Sequence, residues 1–343
     1  MNKKHGSKTI TFENPPRILS YAAVGSKFEG DGPLGKYFDR IFPDPSLNED
    51  TWEKAESKLQ KTALSLALRK GKFESSDLDF LFAGDLLNQC TGSTFGVMGF
   101  NTPFVGVYGA CSTMALSLIM ASVFIDGKMG ERVAAVTSSH FCSAEKQYRF
   151  PLEYGNQRPQ NAQWTATASG ALIIGKGESN IKITKAIVGK IMDKGIKDTN
   201  NMGAAMAPAA ADTILQFLKD TNSSPEDYDA IYTGDLGVVG SELLYELTKK
   251  EFPTLSSVHK DCGLLLYDRN KQDVHSGGSG CGCSASVLCT HILNSFKEKT
   301  LRRALFCATG ALLSPTSAMQ GENIPSIAHL IEIVNESKIS APR

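Results

Sequence analysis

Residues 76–86 read SDLDFLFAGDL, and residues 226–236 read EDYDAIYTGDL, so the frame DxD, four residues and GDL occurs twice. The two copies lie 150 positions apart. An internal repeat with this separation indicates that the chain contains two copies of one structural unit. In each copy a short apolar run, 80–83 or 230–233, predicts a buried strand.

The segments that precede the two copies are also similar, because each is predicted to form a helix. Apolar residues recur at helical spacing from Trp52 to Leu66, with Gly71 as the expected C-cap, so a helix precedes the first strand. A second, shorter helix is predicted over residues 208–218, with Pro208 in its first turn.

The segments after both copies keep the same order. The first half continues with a strand at 104–108, the turn GACS at 109–112, a helix at 113–125 and a strand at 133–137; the second half continues with a glycine-rich segment at 277–284, a helix at 285–296 and a strand at 304–308. Because the strands are continuously apolar, we expect sheets that are covered on both faces. The repeat therefore predicts an α/β fold with two similar halves.

The overall charge excludes some classes of function. The chain has 343 residues, and 36 lysines and arginines balance 36 aspartates and glutamates, so its formal net charge is zero. A protein that binds nucleic acid by neutralising phosphates needs a basic excess, which is absent from the composition. The sequence contains no run of about 18 apolar residues, so no transmembrane helix is predicted. The basic residues 1–8 lead into no apolar stretch, so we expect no secretion signal and a soluble chain.

Eight cysteines occur in the chain. Without a secretion signal, we expect them to remain reduced thiols in a cytosolic compartment. Cys281 and Cys283 are too close for an easy disulfide and have no second ligand pair for zinc, so core packing is their default interpretation. The pattern GxGxxA at 280–285 has no acidic residue about 20 positions later, so a dinucleotide site is rejected.

Cys111 is the first candidate functional residue. A strand that runs into the turn GACS and then into a helix places its thiol at a helix N-terminus. The helix dipole and the free N–H groups there are expected to favour the thiolate. Gly109 and Ala110 leave room for the turn and for a ligand close to the backbone. The alternative interpretation is a cysteine that only packs in the core.

Four further residues are candidates for the group that assists this thiol. Asp85 and Asp235 end the two repeated strands, and His140 and His259 follow or lie near predicted strand ends. A strand-end aspartate has an alternative role, because its carboxylate can cap the helix that follows. The two histidines can equally be satisfied core residues, and the other histidines considered, which include His329, are assigned surface or core roles.

A long polar and aromatic loop is predicted around residues 145–159, within the connection 141–165. Long loops on rigid scaffolds often carry ligand contacts. Arg149 and Arg158 offer forked donors that suit carboxylates, although solvated loop arginines are the alternative.

The GACST turn at 109–113 and the segment GGSGC at 277–281 resemble the thiolase and ketoacyl-ACP synthase superfamily. More narrowly, the chain resembles a family of stage V sporulation proteins of spore-forming bacteria. The resemblance spans almost the whole chain through the stretches DGPLG at 31–35, GDLLNQ at 84–89, TSSH at 137–140, MAPAAAD at 206–212 and ATGALLSP at 308–315.

The resemblance implies a thiolase-like fold of five layers, with an N-terminal half at 1–180 and a C-terminal half at 181–343. It places the site between the halves, with Cys111 at the nucleophile position. Helix N-termini at Cys111 and Cys283 can then donate to a carboxylate.

The resemblance also implies a function in sporulation. It implies binding of dipicolinic acid (pyridine-2,6-dicarboxylate) and work with other stage V A proteins at the spore inner membrane, as a peripheral protein that is cytoplasmic earlier. That complex moves dipicolinate with calcium into the forming spore and releases it in germination. By analogy with the superfamily, we also expect a homodimer formed through the sheet edge of the first half.

Departures from the enzymes of the superfamily predict a protein that is not an enzyme and needs no cofactor. Synthases carry histidine where this chain has Asp235, and their second histidine or asparagine falls near Gly280 and Cys281. The predicted ligand-binding residues are Cys111, Asp85, Asp235, His140, His259, Cys281, Cys283, Arg149 and Arg158, with calcium bridging the ligand to Asp85 and Asp235. Two alternatives stay open: an active acyltransferase that uses Cys111 with His140 or His259 as base, and a structural scaffold without a ligand.

Overall fold

The computed structural model describes residues 4–148 and 158–336. The strands of the first half are β1 (Lys4–His5), β2 (Thr9–Thr11), β3 (Arg17–Ser26), β4 (Arg40–Phe42), β5 (Phe80–Gly84), β6 (Phe104–Gly106), β7 (Arg132–Ser139), β8 (Trp164–Thr165) and β9 (Ala168–Gly175). Its helices are α1 (Lys27–Gly30), α2 (Trp52–Gly71), α3 (Thr91–Val97), α4 (Thr113–Asp126) and α5 (Phe141–Tyr148).

The second half repeats this alternation of strands and helices. Its strands are β10 (Ile181–Ile187), β11 (Ala230–Thr233), β12 (His259–Asp261), β13 (Gly278–Ser279), β14 (Arg303–Ala311) and β15 (Ser326–Asn335). Its helices are α6 (Met202–Thr221), α7 (Gly237–Thr248), α8 (Leu255–Val258), α9 (Cys262–Leu266), α10 (Cys281–Val287), α11 (Leu293–Lys297) and α12 (Pro315–Met319), and a π-helical turn, Leu288–Ile292, joins α10 to α11.

The main sheet consists of two equivalent five-stranded blocks. The first block has the order β3-β9-β7-β5-β6, and the second has the order β10-β15-β14-β11-β12. In each block the second strand is antiparallel to both of its neighbours, whereas the last three strands are parallel. The blocks meet at β3 and β10 through the single pair Arg17 and Lys182. The predicted doubling of the fold is therefore confirmed.

Helices cover both faces of both blocks. Helix α2 packs on the outer face of the first block, and α6 packs on the outer face of the second. Helix α4 contacts strands of both blocks and also contacts α10, so these two helices form the central layer. Their apolar side chains share one core with strands of both halves, as Met114 with Phe82 and Phe306 shows. No described helix is both long and apolar enough to cross a bilayer.

Two helix ends differ from the sequence predictions. Lys72, not Gly71, adopts the left-handed conformation that ends α2, with φ of 58°. Gly71 is required for packing instead, because a Cβ there would lie 2.5 Å from the Phe73 ring. Helix α6 begins six residues earlier than predicted, since the Asn201 side chain accepts a hydrogen bond from Ala204 N at 3.2 Å. Pro208 consequently lies inside the helix rather than in its first turn.

Two further elements have corrected bounds. The glycine-rich segment is shorter than expected, because α10 already begins at Cys281. The start of the predicted loop is helical, since α5 extends to Tyr148. Arg149 lies outside the described residues.

Candidate functional site

A small cavity lies between the two halves at the N-terminus of α4. It encloses about 60 Å³. Its walls come from both halves and are mostly apolar: Leu86, Ala110, Cys111, Ala144, Glu145, Tyr148, Gln163, Thr165, Met202, Met206, Ser279, Ala311 and Leu313. No lysine, arginine or histidine of the described segments lines it.

The turn that presents Cys111 is fixed by short hydrogen bonds. Ala110 has a φ of 50°, which reverses the chain just before the cysteine. The Ser112 hydroxyl donates to Gly109 O at 2.6 Å, and the Thr113 hydroxyl donates to Ala110 O at 2.6 Å. As predicted, the thiol lies on a strand–turn–helix connection, and it is 9% exposed beside the cavity.

Asp235 is held next to this thiol by three donors. The Ser279 hydroxyl donates to its carboxylate at 3.0 Å, Gly280 N at 2.8 Å and the Thr309 hydroxyl at 2.8 Å. The Ser279 oxygen is also 3.9 Å from Cys111 Sγ. The end of β11, the start of α10 and the middle of β14 therefore meet around one buried carboxyl group.

The electrostatics around Cys111 differ from the sequence expectation. Burial, and after it the charge of Asp235, raise the pKa of the Cys111 thiol well above its ordinary value. The predicted preference for the thiolate at the helix N-terminus is thus wrong, because desolvation and a neighbouring carboxylate outweigh the helix dipole. Burial also raises the pKa of Asp235, although Gly280 N–H and the Cys111 thiol act in the opposite direction.

Asp85 has a different role from its counterpart Asp235. Its carboxylate accepts from Ser93 N at 2.6 Å in the first turn of α3 and from Leu87 N at 2.8 Å. These contacts match the helix-capping alternative. Burial raises the pKa of Asp85, and burial together with the charge of Asp85 raises the pKa of Glu56 to about 8.

The predicted histidines do not reach the cavity. His140 Nε2 is 2.7 Å from Pro45 O, and its Nδ1 accepts from Cys142 N at 3.1 Å. His259 lies between the hydroxyls of Thr233 and Tyr245, each at 2.8 Å from one ring nitrogen. Burial lowers the pKa of His259 to about 4. Both imidazoles are satisfied core residues.

His329, which the sequence assigned a surface or core role, lies behind the Cys111 turn. A Cβ added at Gly109 would be 3.6 Å from its Nε2, and its Nδ1 accepts from Gly189 N at 3.3 Å. Burial lowers the pKa of His329 to about 4. His329 is not among the cavity-lining residues.

Cys281 and Cys283, which are close in sequence, lie in separate environments. Cys281 belongs to the small apolar cluster of Cys111, Leu86 and Ala144, and its thiol donates to Ser138 O at 2.9 Å. Cys283 packs in the main core instead, away from the cavity lining. All eight cysteines are free thiols.

Arg158 contacts protein groups rather than the cavity. It forms an ion pair of 3.0 Å with Asp273 and lies over the Trp164 ring, 4.8 Å from the centroid.

Several lining residues were not predicted as site residues. Gln163 precedes β8 and Thr165 ends it, Met202 and Met206 lie on the first turns of α6, and Tyr148 ends α5. Gln163 donates to Asp235 O at 2.7 Å and to Gly278 O at 2.9 Å, which leaves its buried Oε1 without a partner in the described chain.

The calcium-bridging hypothesis gains no direct support from these contacts. The carboxylates of Asp85 and Asp235 already accept hydrogen bonds from protein donors on both oxygens. Within residues 4–148 and 158–336, no group of three or more His, Cys, Asp or Glu is placed to hold a metal ion. Calcium bridging stays a prediction.

The chain matches known proteins over nearly its full length. The model of the family described as stage V sporulation protein AD matches residues 6–334. A protein from Bacillus subtilis strain 168 named stage V sporulation protein AD is 45% identical over 327 residues, which cover 95% of this chain and 96% of that protein.

Solved structures with the same fold come from the thiolase and ketoacyl synthase superfamily. They include 3-oxoacyl-[acyl-carrier-protein] synthase III from Aquifex aeolicus VF5, with a TM-score of 0.59, 12% identity, and coverage of 93% of this chain and 99% of that one. Human mitochondrial 3-ketoacyl-CoA thiolase has a TM-score of 0.57, 12% identity, and coverage of 94% and 99%. At these identities the similarity establishes the thiolase-like fold alone.

Proposed function

The chain belongs to the stage V sporulation protein AD family, and we propose that it binds dipicolinic acid in the cavity beside Cys111 without transforming it. In this proposal it acts with other stage V A sporulation proteins at the spore inner membrane. Together they move dipicolinate and calcium into the forming spore and release them in germination. The observation that carries the non-catalytic part of this proposal is the buried Asp235, rather than an imidazole, beside the Cys111 thiol.

The protonation of Cys111 supports binding rather than catalysis. A nucleophilic thiol needs a base that removes its proton and donors that stabilise the oxyanion. Here burial and, after it, the charge of Asp235 raise the pKa of Cys111 well above its ordinary value, so the thiol retains its proton at neutral pH. His140 and His259 are held by other partners, so neither can replace the missing base.

The size of the cavity favours a small ligand. Its volume of about 60 Å³ is below the roughly 150 Å³ of an engineered cavity that binds benzene. A pyridine ring therefore has to extend into the mouth, where Met202 and Tyr148 are half-buried.

The polar lining favours a ligand whose charge is partly neutralised. Glu145 and the unpartnered Gln163 Oε1 are acceptors, and the Ser279 hydroxyl already donates to Asp235. A bare dianion would be repelled by such a lining. We infer that dipicolinate binds as a protonated species or together with calcium, with Arg149 as a predicted additional contact.

Calorimetric titration with dipicolinate, with and without calcium, tests this function. Met202→Trp narrows the mouth of the cavity, so it should abolish binding. Met319→Trp changes a methionine that is 83% exposed and not part of the cavity, so it should bind as wild type. Equal dipicolinate binding by both variants would mean that the ligand binds outside this cavity. If wild type gave no heat of binding with or without calcium, the chain would be a structural scaffold without a ligand.

A different measurement distinguishes the acyltransferase alternative from binding without catalysis. The fold neighbours include a synthase and a thiolase, and Cys111 keeps the strand–turn–helix position. Mass spectrometry after incubation with acetyl-coenzyme A would show an acetyl group on Cys111 if the chain were such an enzyme. We expect no adduct.

We also propose a homodimer. Strand β6 is the edge of the first block, and its Phe104 is exposed near the exposed Met98. Exposed apolar side chains beside an unpaired strand edge favour association of two copies. Phe104→Asp should halve the mass measured by light scattering, whereas Met319→Asp should not change it.

A further inference from the structure

A groove with excess positive charge runs along the outer face of α2. Its floor is the solvent-facing stripe of the helix, on which Lys54, Lys58, Lys61 and Arg69 recur at helical spacing. Arg40 and Glu49 form one side, and Thr91 and Phe95 form the other. The groove has a volume of about 700 Å³, so it is much larger than the cavity beside Cys111.

The acidic residues of this chain neutralise only part of that charge. Glu49 pairs with Lys58 at 2.8 Å, and Asp50 pairs with Lys54 at 3.4 Å. Glu53 pairs with Lys146 instead, at 2.6 Å. Lys61 and Arg69 are exposed and form no ion pair with any residue in 4–148 or 158–336. The chain has no net charge, so this groove is a local excess of cations rather than a reflection of a basic protein.

The groove also has an apolar part. Phe95 on α3 is 61% exposed, and the half-buried Leu66 of α2 also lines the groove. The charged and apolar side chains together form an elongated surface that follows α2, which is about 30 Å long. A flat bilayer would contact only the protruding cations, whereas a helix can lie along the whole groove.

We propose that this groove binds an acidic amphipathic helix of a partner protein. Carboxylates at i, i+4 and i+7 of that helix would face Lys61 and Arg69, and a neighbouring leucine would cover Phe95. Nucleic acid does not fit, because the chain offers too few free cations here for a stretch of phosphates. This surface is separate from the cavity, so the inference does not depend on dipicolinate binding.

Fluorescence anisotropy with a labelled 18-residue helical peptide tests the proposal. The peptide carries glutamates on one stripe and leucines on the adjacent stripe, and a control peptide has the same composition with the glutamates distributed around the helix. We expect the full-length protein to bind the striped peptide at least about tenfold more tightly than the control, with weaker binding as salt increases.

Charge reversal then locates the surface. Lys61→Glu/Arg69→Glu should weaken binding of the striped peptide about tenfold or more. Lys219→Glu/Lys250→Glu, which changes the net charge equally at exposed positions outside the groove, should leave it unchanged. Equal loss in both variants, or no preference between the peptides, would overturn the proposal. A third outcome would also overturn the proposal, in favour of a lipid surface. In that outcome neither peptide binds, wild type binds vesicles with 30% phosphatidylglycerol, and Lys61→Glu/Arg69→Glu loses this vesicle binding.

Discussion

Asp235 accepts a hydrogen bond of 3.0 Å from the Ser279 hydroxyl, which joins the end of β11 to the segment that begins α10. The same hydroxyl oxygen lies 3.9 Å from Cys111 Sγ. A carboxylate, rather than an imidazole, is therefore fixed beside the thiol. Burial and this neighbouring carboxylate together raise the pKa of the thiol, so it stays protonated.

The first prediction concerns the reactivity of Cys111. Asp235→Asn removes the negative charge that, after burial, helps to raise the pKa of the thiol. Its single amide oxygen can still accept from Ser279 and Gly280, while its amide nitrogen replaces the oxygen that accepts from Thr309. We expect faster alkylation of Cys111 by iodoacetamide at pH 8, measured by peptide mass spectrometry. Cys142, which is half-buried elsewhere, should react at an unchanged rate. A slower reaction of Cys111 would mean that Asp235 acts as its base.

The second prediction concerns the histidines. His140→Gln, His259→Gln and His329→Gln should each leave the dissociation constant for dipicolinate within about twofold, because none of these side chains lines the cavity. Each variant should lose stability, since a buried hydrogen bond is altered. A tenfold loss of affinity in a folded variant would show that an imidazole contributes to the site.

The third prediction concerns Glu56, which is buried near Asp85. Its pKa is raised to about 8, so Glu56 is neutral in the folded chain at pH 6 and ionised in the unfolded chain. Its contribution to stability therefore falls as the pH rises from about 4.5 to about 8. Glu56→Gln removes this dependence, and its stability relative to wild type should increase by up to about 1.4 kcal/mol per pH unit across that window.

Urea denaturation at pH 5, 6.5 and 8 measures this difference. The exposed Glu322→Gln serves as the control and should follow wild type at each pH. A variant that is equally destabilised at all three values would show that Glu56 is ionised in the folded protein.

The fourth prediction concerns Glu332, whose pKa shift has the opposite sign. Burial acts to raise its pKa, but Lys185, Thr184 and Arg303 lower it overall. The ammonium of Lys185 and the guanidinium of Arg303 each lie 2.7 Å from its carboxylate. This stabilisation is present above the unfolded pKa of about 4.5 and is lost as the pH falls through the lower folded value.

Glu332→Gln should cost about 1.5–3 kcal/mol at pH 7, the range for hydrogen bonds to charged groups. Below pH 4 the variant and wild type should converge in thermal unfolding. If the gap persisted undiminished at pH 3, packing rather than charge would explain the loss.

The repeat and the buried strands could be predicted from sequence because their signals are local. The apolar run at 230–233 matches β11 residue for residue, and the helix predicted from 113 to 125 is α4 with one further residue. The sequence does not reveal the start of α6, because Pro208 is typical of a first helical turn. The actual cap, Asn201, precedes a stretch of small residues with little helical periodicity.

The site itself could be predicted only in part. The strand–turn–helix pattern around GACS indicates Cys111, and the repeat indicates Asp235, because Asp235 ends the second copy of the repeated strand as Asp85 ends the first. Gln163, Met202 and Tyr148 come from separate elements, and the cavity forms only when the halves pack together. Tertiary packing also decided the pKa of Cys111, since burial and Asp235 outweigh the helix N-terminus that the sequence reveals.

Protection of the Cys111 thiol by dipicolinate tests the central claim most directly. The rate of iodoacetamide alkylation is followed for each cysteine by mass spectrometry at pH 8.5, with increasing dipicolinate, with and without calcium. We expect the alkylation of Cys111 to become progressively slower as dipicolinate increases. The alkylation rates of the half-buried Cys90 and Cys142, which do not line the cavity, should not change. An unchanged rate at Cys111, with dipicolinate bound to the protein, would contradict it.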